Sequence, residues 1–238
     1  MKSKLVLTVA NIAAVTLTAF LTAALLSCGK LDVVGNGSVT AFNQLLQQIP
    51  AEDDAVNAGW SIAAPDHSAR FIWSRGYAES PVYDVMIEFD AAPFIAAGLS
   101  PEKLPENYVF SNGVIKTGIK FDGAKPKSTG ETGPLAAYEH IVKLHRQLIG
   151  YHGALDHYGV NLGGGNLFEW AKDMTTNDKD MVFVLAPAPF AAAGADISQI
   201  EGWLFAPVTV DDENGKPVQV DKLLKPFDLP PPPPASGF

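Results

Sequence analysis

Four of the five histidines, His140, His145, His152 and His157, fall within eighteen residues, and imidazole is the commonest metal-ligating side chain, well suited to zinc or copper. On a helix His145 and His152, seven apart, share a face beside Leu148 and Ile149, whereas His140 and His157 are each five residues from a neighbouring histidine and point elsewhere. The candidate metal centre is therefore His145 and His152, completed by Asp156 or His157 from the following loop, with a divalent ion as its cofactor. No HExxH, HxH or CxxC element accompanies it, and the spacing favours the competing assignment of these histidines to core and surface.

A second candidate is the stretch from Leu155 to Asn166, expected as a glycine-rich loop between a helix and a strand. Gly163, Gly164 and Gly165 permit positive φ and close backbone approach, so with Asn166 they could hold a small ligand carried between two halves of the chain. The loop lacks the lysine and the strand-then-helix setting of a phosphate cradle. Asp66-His67 stands seven residues closer to Phe71 than Asp156-His157 does to Phe168, so the first half is expected to have no comparable loop. Ser61, Ser68 and Ser111 lie in no GxSxG elbow, and none is named a nucleophile. The acidic runs Glu52 to Asp54 and Asp211 to Glu213 read as solvated turns.

The elements that would position these groups come in duplicate. Val85 to Gly98 reads VMIEFDAAPFIAAG and Met181 to Gly194 reads MVFVLAPAPFAAAG, the same register displaced by 96 residues with six identities in fourteen positions. Phe71-Ile72-Trp73 and Phe168-Glu169-Trp170 precede the two copies, while Tyr108-Val109-Phe110 and Trp203-Leu204-Phe205 follow them. Each half is read as strand, strand, short helix and hairpin. Pro93 and Pro189 open the helices, Gly98 and Gly194 close them, and Asn112-Gly113 and Asn214-Gly215 turn the hairpins. An amphipathic helix precedes each half, carrying Val39, Phe42, Leu45, Leu46 and Ile49 up to Pro50 in the first. In the second it carries Leu135, Tyr138, Ile141, Val142, Leu148, Ile149 and His152. The expected fold is α+β, two similar halves packed as one duplicated unit over residues 39–125 and 126–228. Trp60, Trp73, Trp170 and Trp203 are assigned to core packing.

Ahead of these halves, Met1-Lys2-Ser3-Lys4 and the apolar stretch from Leu5 to Leu26 have the layout of a secretory signal. Its end, Leu25-Leu26-Ser27-Cys28-Gly29, resembles the lipobox of bacterial lipoproteins. That resemblance implies a signal peptide over residues 1–27, cleavage before Cys28, diacylglyceryl transfer to its thiol, and residues 28–38 as a lipidated tether. Gly29 after the cysteine leans towards the outer membrane if the cell is Gram-negative. An uncleaved transmembrane anchor is the alternative, and both place the rest of the chain outside the cytoplasm. Cys28 is the only cysteine, so no disulfide forms within the chain and the core alone must hold the fold. The net charge is −9, becoming −11 once Lys2 and Lys4 leave with the signal. Such a balance excludes nucleic acid as a partner and assigns membrane attachment to lipid. Pro230 to Pro234 mark residues 229–238 as an extended tail. Together these features predict an envelope lipoprotein that acts as a binding module for another envelope protein, with metal handling and small-ligand carriage as alternatives.

Overall fold

Proline and glycine punctuate both halves at matching places, and the backbone between them adopts the same succession of elements twice. The computed structural model describes residues 31–76, 82–121, 133–153, 155–174, 179–211 and 216–229. In the first half, helix α1 (Leu31–Gln48) leads into strands β1 (Glu52–Asp54), β2 (Gly59–Ala63), β3 (Ala69–Ser74) and β4 (Val85–Asp90), then the short helix α2 (Ala92–Ala96) and strands β5 (Tyr108–Ser111) and β6 (Val114–Ile119). In the second, α3 (Pro134–Leu144) leads into β7 (Ile149–His152), β8 (His157–Asn161), β9 (Leu167–Ala171) and β10 (Met181–Leu185), then α4 (Ala188–Ala192), β11 (Leu204–Asp211) and β12 (Pro217–Phe227). Each half forms one antiparallel six-stranded sheet, in the orders β1-β2-β3-β4-β6-β5 and β7-β8-β9-β10-β12-β11. The chain is thus a mixed α and β protein of two similar halves, richer in strand than the sequence reading expects. The opening hairpins β1–β2 and β7–β8 are the additions.

Pro93 and Pro189 sit in the first turns of α2 and α4, and Gly98 and Gly194 follow them at φ values of 101° and 104°. Asn112 and Gly113, at 53° and 79°, supply the two positive φ values that a two-residue hairpin between β5 and β6 requires. Asn214 and Gly215 lie outside the described residues, but β11 and β12 pair antiparallel on either side of them.

The halves meet about an approximate two-fold axis, because equivalent residues touch one another across it. Phe42 of α1 stacks on Tyr138 of α3 at 3.9 Å between ring centroids, Phe71 on Phe168 at 4.5 Å, and Phe94 packs on Phe190 at 4.9 Å. The backbone repeats the exchange: Ser100 N–H donates to the Ala193 carbonyl at 2.9 Å and Asp196 N–H to the Ala97 carbonyl at 2.7 Å. Gly98 and Gly194 make this approach feasible, since a β-carbon on either would stand 3.0 Å from the carbonyl oxygen of the other. One continuous apolar core results, running from Phe42 and Trp73 to Trp170 and Phe190. Trp73 and Trp170 are wholly buried, while Trp60 and Trp203 pack at the margin of this core.

Each half also fastens its end with an aspartate placed just before its fourth strand. Asp84 accepts the Phe121 N–H at 2.8 Å, and Asp180 accepts the Leu229 N–H at 2.8 Å, so both chains are pinned two residues past their last strand. Both carboxylates are buried. Asp180→Ala strands the buried Leu229 N–H and should cost about 1–3 kcal/mol in urea unfolding, with Asp84→Ala, which frees the part-buried Phe121 N–H, at the lower end of that range. A cost near zero in both would show the clasp to be incidental.

Three sequence expectations change. Helix α1 already includes Leu31, well ahead of residue 39, so residues 31–38 of the expected tether are helical. Gly37 there is a close-packing residue, since a β-carbon on it would run into the Tyr158 hydroxyl. The second amphipathic helix ends at Leu144, well short of His152. His145 leaves helical dihedrals (φ −128°, ψ 47°), a short 3-10 turn follows over Arg146–Leu148, and Ile149 to His152 form β7. Leu148 lies in that turn, and Ile149 and His152, three apart on β7, point to opposite faces of the sheet, so the helical period of the three is a coincidence of sequence. Finally, Asp156-His157 is not the counterpart of Asp66-His67. It belongs to the β7–β8 turn, and the turns 64–68 and 162–166 that follow β2 and β8 are equal in length. The seven-residue difference between the halves does not exist.

Candidate functional site

The histidines are dispersed by the true element boundaries. His145 stacks flat on Phe121 at 3.6 Å, and burial followed by the nearby His140 pulls its pKa down. His152 and His157 face each other across β7 and β8, with His152 Nδ1 3.5 Å from Glu169 Oε1 and His157 buried. Asp156 instead accepts the Tyr151 hydroxyl and lies 3.6 Å from Lys172 Nζ. Among the described residues, no three His, Cys, Asp or Glu side chains come together as a metal site. His145 is thus separated from the His152–His157 pair with which the sequence grouped it.

Gly163, Gly164 and Gly165 take φ values of 80°, 62° and 83°, which explains the glycine run as a tight turn between β8 and β9. Its polar groups are engaged internally: Gly163 N–H donates to Asn161 Oδ1 at 2.9 Å, Asn166 N–H to the Gly163 carbonyl at 3.0 Å, and Lys222 Nζ to the Gly165 carbonyl at 2.8 Å. Burial pulls the Lys222 pKa down, with Glu169 acting in the opposite direction. Asn166 is fully buried and ties the halves together, donating to the Tyr108 hydroxyl at 3.0 Å and accepting Ala186 N–H at 3.0 Å. Burial pushes the Tyr108 phenol up to about 12, so it remains a neutral hydrogen-bonding group. The turn's place in the fold is a joint between the halves.

The halves differ most sharply on the outer faces of their sheets. In the first, Arg70, Glu88, Lys116 and Val109 stand side by side across β3, β4, β6 and β5. In the second, the same places are taken by Leu167, Val184, Leu224 and Leu204 across β9, β10, β12 and β11. One row is ionic and the other is apolar.

The ionic row is closed upon itself. Arg70 Nε donates to Glu88 Oε1 at 2.6 Å and Arg70 Nη1 lies 3.1 Å from Asp54 Oδ2. Lys116 Nζ lies 2.8 Å from Glu88 Oε2 and donates to Asn57 Oδ1 at 2.9 Å, while Asn57 Nδ2 donates to Asp54 Oδ2 at 2.9 Å. Two cations thus neutralise two carboxylates, and every group named has a partner. A cleft of about 240 Å³ adjoins it, lined among others by Glu52, His67, Ser68, Arg70, Glu88 and Asp90. That is below the ~300–1,000 Å³ of ordinary small-molecule sites. Sequence reading missed this cluster because it took Glu52 to Asp54 as a solvated turn. Those residues form β1, with Asp54 buried. The legible signal was the opposite charge of Arg70 and Glu88 within two otherwise apolar strands.

The apolar row has a buried centre and an open end. Leu167, Val182 and Val184 are buried and Leu224 packs on them, whereas Leu204 is 54% exposed; Phe205, opposite Leu223, belongs to the other face of the sheet. β11 is the edge of its sheet, interrupted by Pro207, a residue that removes one backbone donor from that edge. Among the described residues, no helix is long and apolar enough to cross a membrane. Cys28, the signal segment and the proline run lie outside the described residues. In the comparisons the chain matches no protein-family model, no curated protein and no solved structure.

Proposed function

We propose that this chain is a lipid-anchored, non-enzymatic interaction module of the cell envelope, built as a duplicated unit and held to its membrane through Cys28. The spacing between that cysteine and α1 carries the proposal. Only Gly29 and Lys30 separate Cys28 from Leu31, the first described residue of α1, so the acylated end lies within about 10 Å of the fold. The anchor then leads straight into a helix whose Ser38, Phe42 and Leu45 are buried, and the lipid holds the core itself close to the bilayer. The open end of the apolar row at Leu204 supports a protein partner, since a buried apolar stripe that runs out to an exposed leucine suits a companion surface.

Cys28→Ala should abolish incorporation of labelled fatty acid and leave the chain unprocessed, and mass spectrometry of the parent should find a diacylglyceryl cysteine as its first residue. An authentic product that retains Met1, or carries a bare Cys28 thiol, would overturn the proposal.

A further inference from the structure

We propose that the side of the molecule formed by the end of α3 and the β7–β8 hairpin rests on the bilayer, with Leu144, Tyr151 and Leu155 in the lipid headgroup layer. The inference rests on the anchoring of Cys28 and adds to it an orientation and a contact surface.

Chain length sets the location. Gly35 lies against Val142, whose nearest methyl is 3.9 Å from where its β-carbon would stand, while Phe42 stacks on Tyr138. α1 and α3 therefore run antiparallel, and the start of α1 stands beside the end of α3. From Leu31 to Gly35 the helix rises about 6 Å, and three extended steps back to Cys28 add about 10 Å. The acyl chains accordingly enter the membrane within about 16 Å of Gly35, which lies against Val142. The β7–β8 hairpin belongs to the same end, because the Tyr158 hydroxyl abuts Gly37 and the Tyr151 ring is 5.2 Å from that of Tyr158.

The chemistry of this end suits lipid. Leu144, Tyr151 and Leu155 are 46%, 43% and 37% exposed, far more than leucine and tyrosine require in a chain that buries its other large side chains here. Residues 140–155 contain no aspartate or glutamate in a protein of net charge −9, and Lys143 and Arg146 are exposed within that run. Lys172 Nζ lies 5.7 Å from the centre of the Tyr151 ring. Tyrosine with lysine and arginine is the set that settles at a membrane–water boundary, the apolar stems inward and the charges among the phosphates. The hydrogen bond to Asp156 pushes the Tyr151 phenol up to about 12, so no phenolate opposes that contact.

The opposite end of the helix pair provides the control. Trp73 Nε1 donates to the Pro134 carbonyl at 3.0 Å, which places β3 and its neighbour β2 at the start of α3. The turn after β1 carries Val56, which is 79% exposed and equally apolar.

Because Cys28 is the only native cysteine and acylation blocks it, single cysteines can be read in the full lipidated chain. Y151C, L155C and V56C would each carry an environment-sensitive fluorophore, in phosphatidylglycerol-containing vesicles that bear a headgroup nitroxide. Quenching several-fold stronger at 151 and 155 than at 56 is the expected result. Equal quenching at the three positions would overturn the inference. So would shielding of 151 and 155 from an aqueous quencher in native envelopes but not in pure vesicles, which would assign this face to a protein. If the parent chain itself takes the label at Cys28, the anchoring fails and this orientation fails with it, a result separable from the other two.

Discussion

Glu88→Ala should destabilise the folded chain by about 3–5 kcal/mol, because it leaves Lys116 buried with its charge uncompensated and takes from Arg70 its closest partner. Arg70 is about a third exposed and can turn to water, so most of that cost belongs to the lysine. The second half shows what the same four-strand row looks like without charge. Transplanting it, as R70L/E88V/K116L, should recover the part of the loss that belongs to Lys116, since buried ions replaced by packed hydrocarbon are commonly neutral or stabilising, while Asp54 is left without its cation. Asp54 would keep its two bonds from Asn57 in that variant. Urea unfolding of the parent, the single variant and the triple variant gives the comparison. A triple variant as unstable as Glu88→Ala would mean that the two outer faces are not interchangeable and that the charges are held for more than local neutrality.

Phe42→Ala should cost about 3–5 kcal/mol, the range for emptying a large, well-packed aromatic site. Phe42 is wholly buried and touches Trp73 from its own half together with Tyr138 and Trp170 from the other, with ring centroids at 5.2, 3.9 and 5.3 Å. The loss should therefore appear in both halves at once. Unfolding followed separately by near-ultraviolet dichroism and by hydrogen exchange in β3 and β9 should remain a single transition, shifted as a whole. Two transitions, one unmoved, would contradict a shared core.

Much of this fold could be read from side-chain types, for identifiable reasons. Pro93, Gly98 and their copies act through backbone dihedrals, which are local, so their message survives without tertiary information. The two-residue turn at Asn112-Gly113 is of the same kind. The hairpins β1–β2 and β7–β8 were not legible because their strands are short and polar or glycine-bearing: Glu52 to Asp54 resembles a loop, and Tyr158-Gly159 interrupts an apolar pattern. Their stability comes from β3 and β9 alongside, which no short window contains. The end of α3 was overrun because neither glycine nor proline marks it, and the contact made there by His145 comes from Phe121, twenty-four residues earlier. The histidine grouping failed with that helix, since side chains seven apart share a face only while the helix lasts. The ionic row was missed for the opposite reason: each member looks ordinary alone, and only strand register brings Arg70, Glu88 and Lys116 together.

Where a residue greets its own counterpart, the contact carries no record of which copy it is meeting. Phe71 lies on Phe168 as it would lie on another Phe71, and the paired amide bonds at Ser100 and Asp196 would close in the same way between two separate molecules. The peptide between the halves therefore favours the pairing by holding the correct mate at high local concentration, in addition to the asymmetric bonds such as that of Asn166 to Tyr108. A single half set free would carry a sticky, self-matching surface, and continuity of the polypeptide is what keeps these molecules from trading partners.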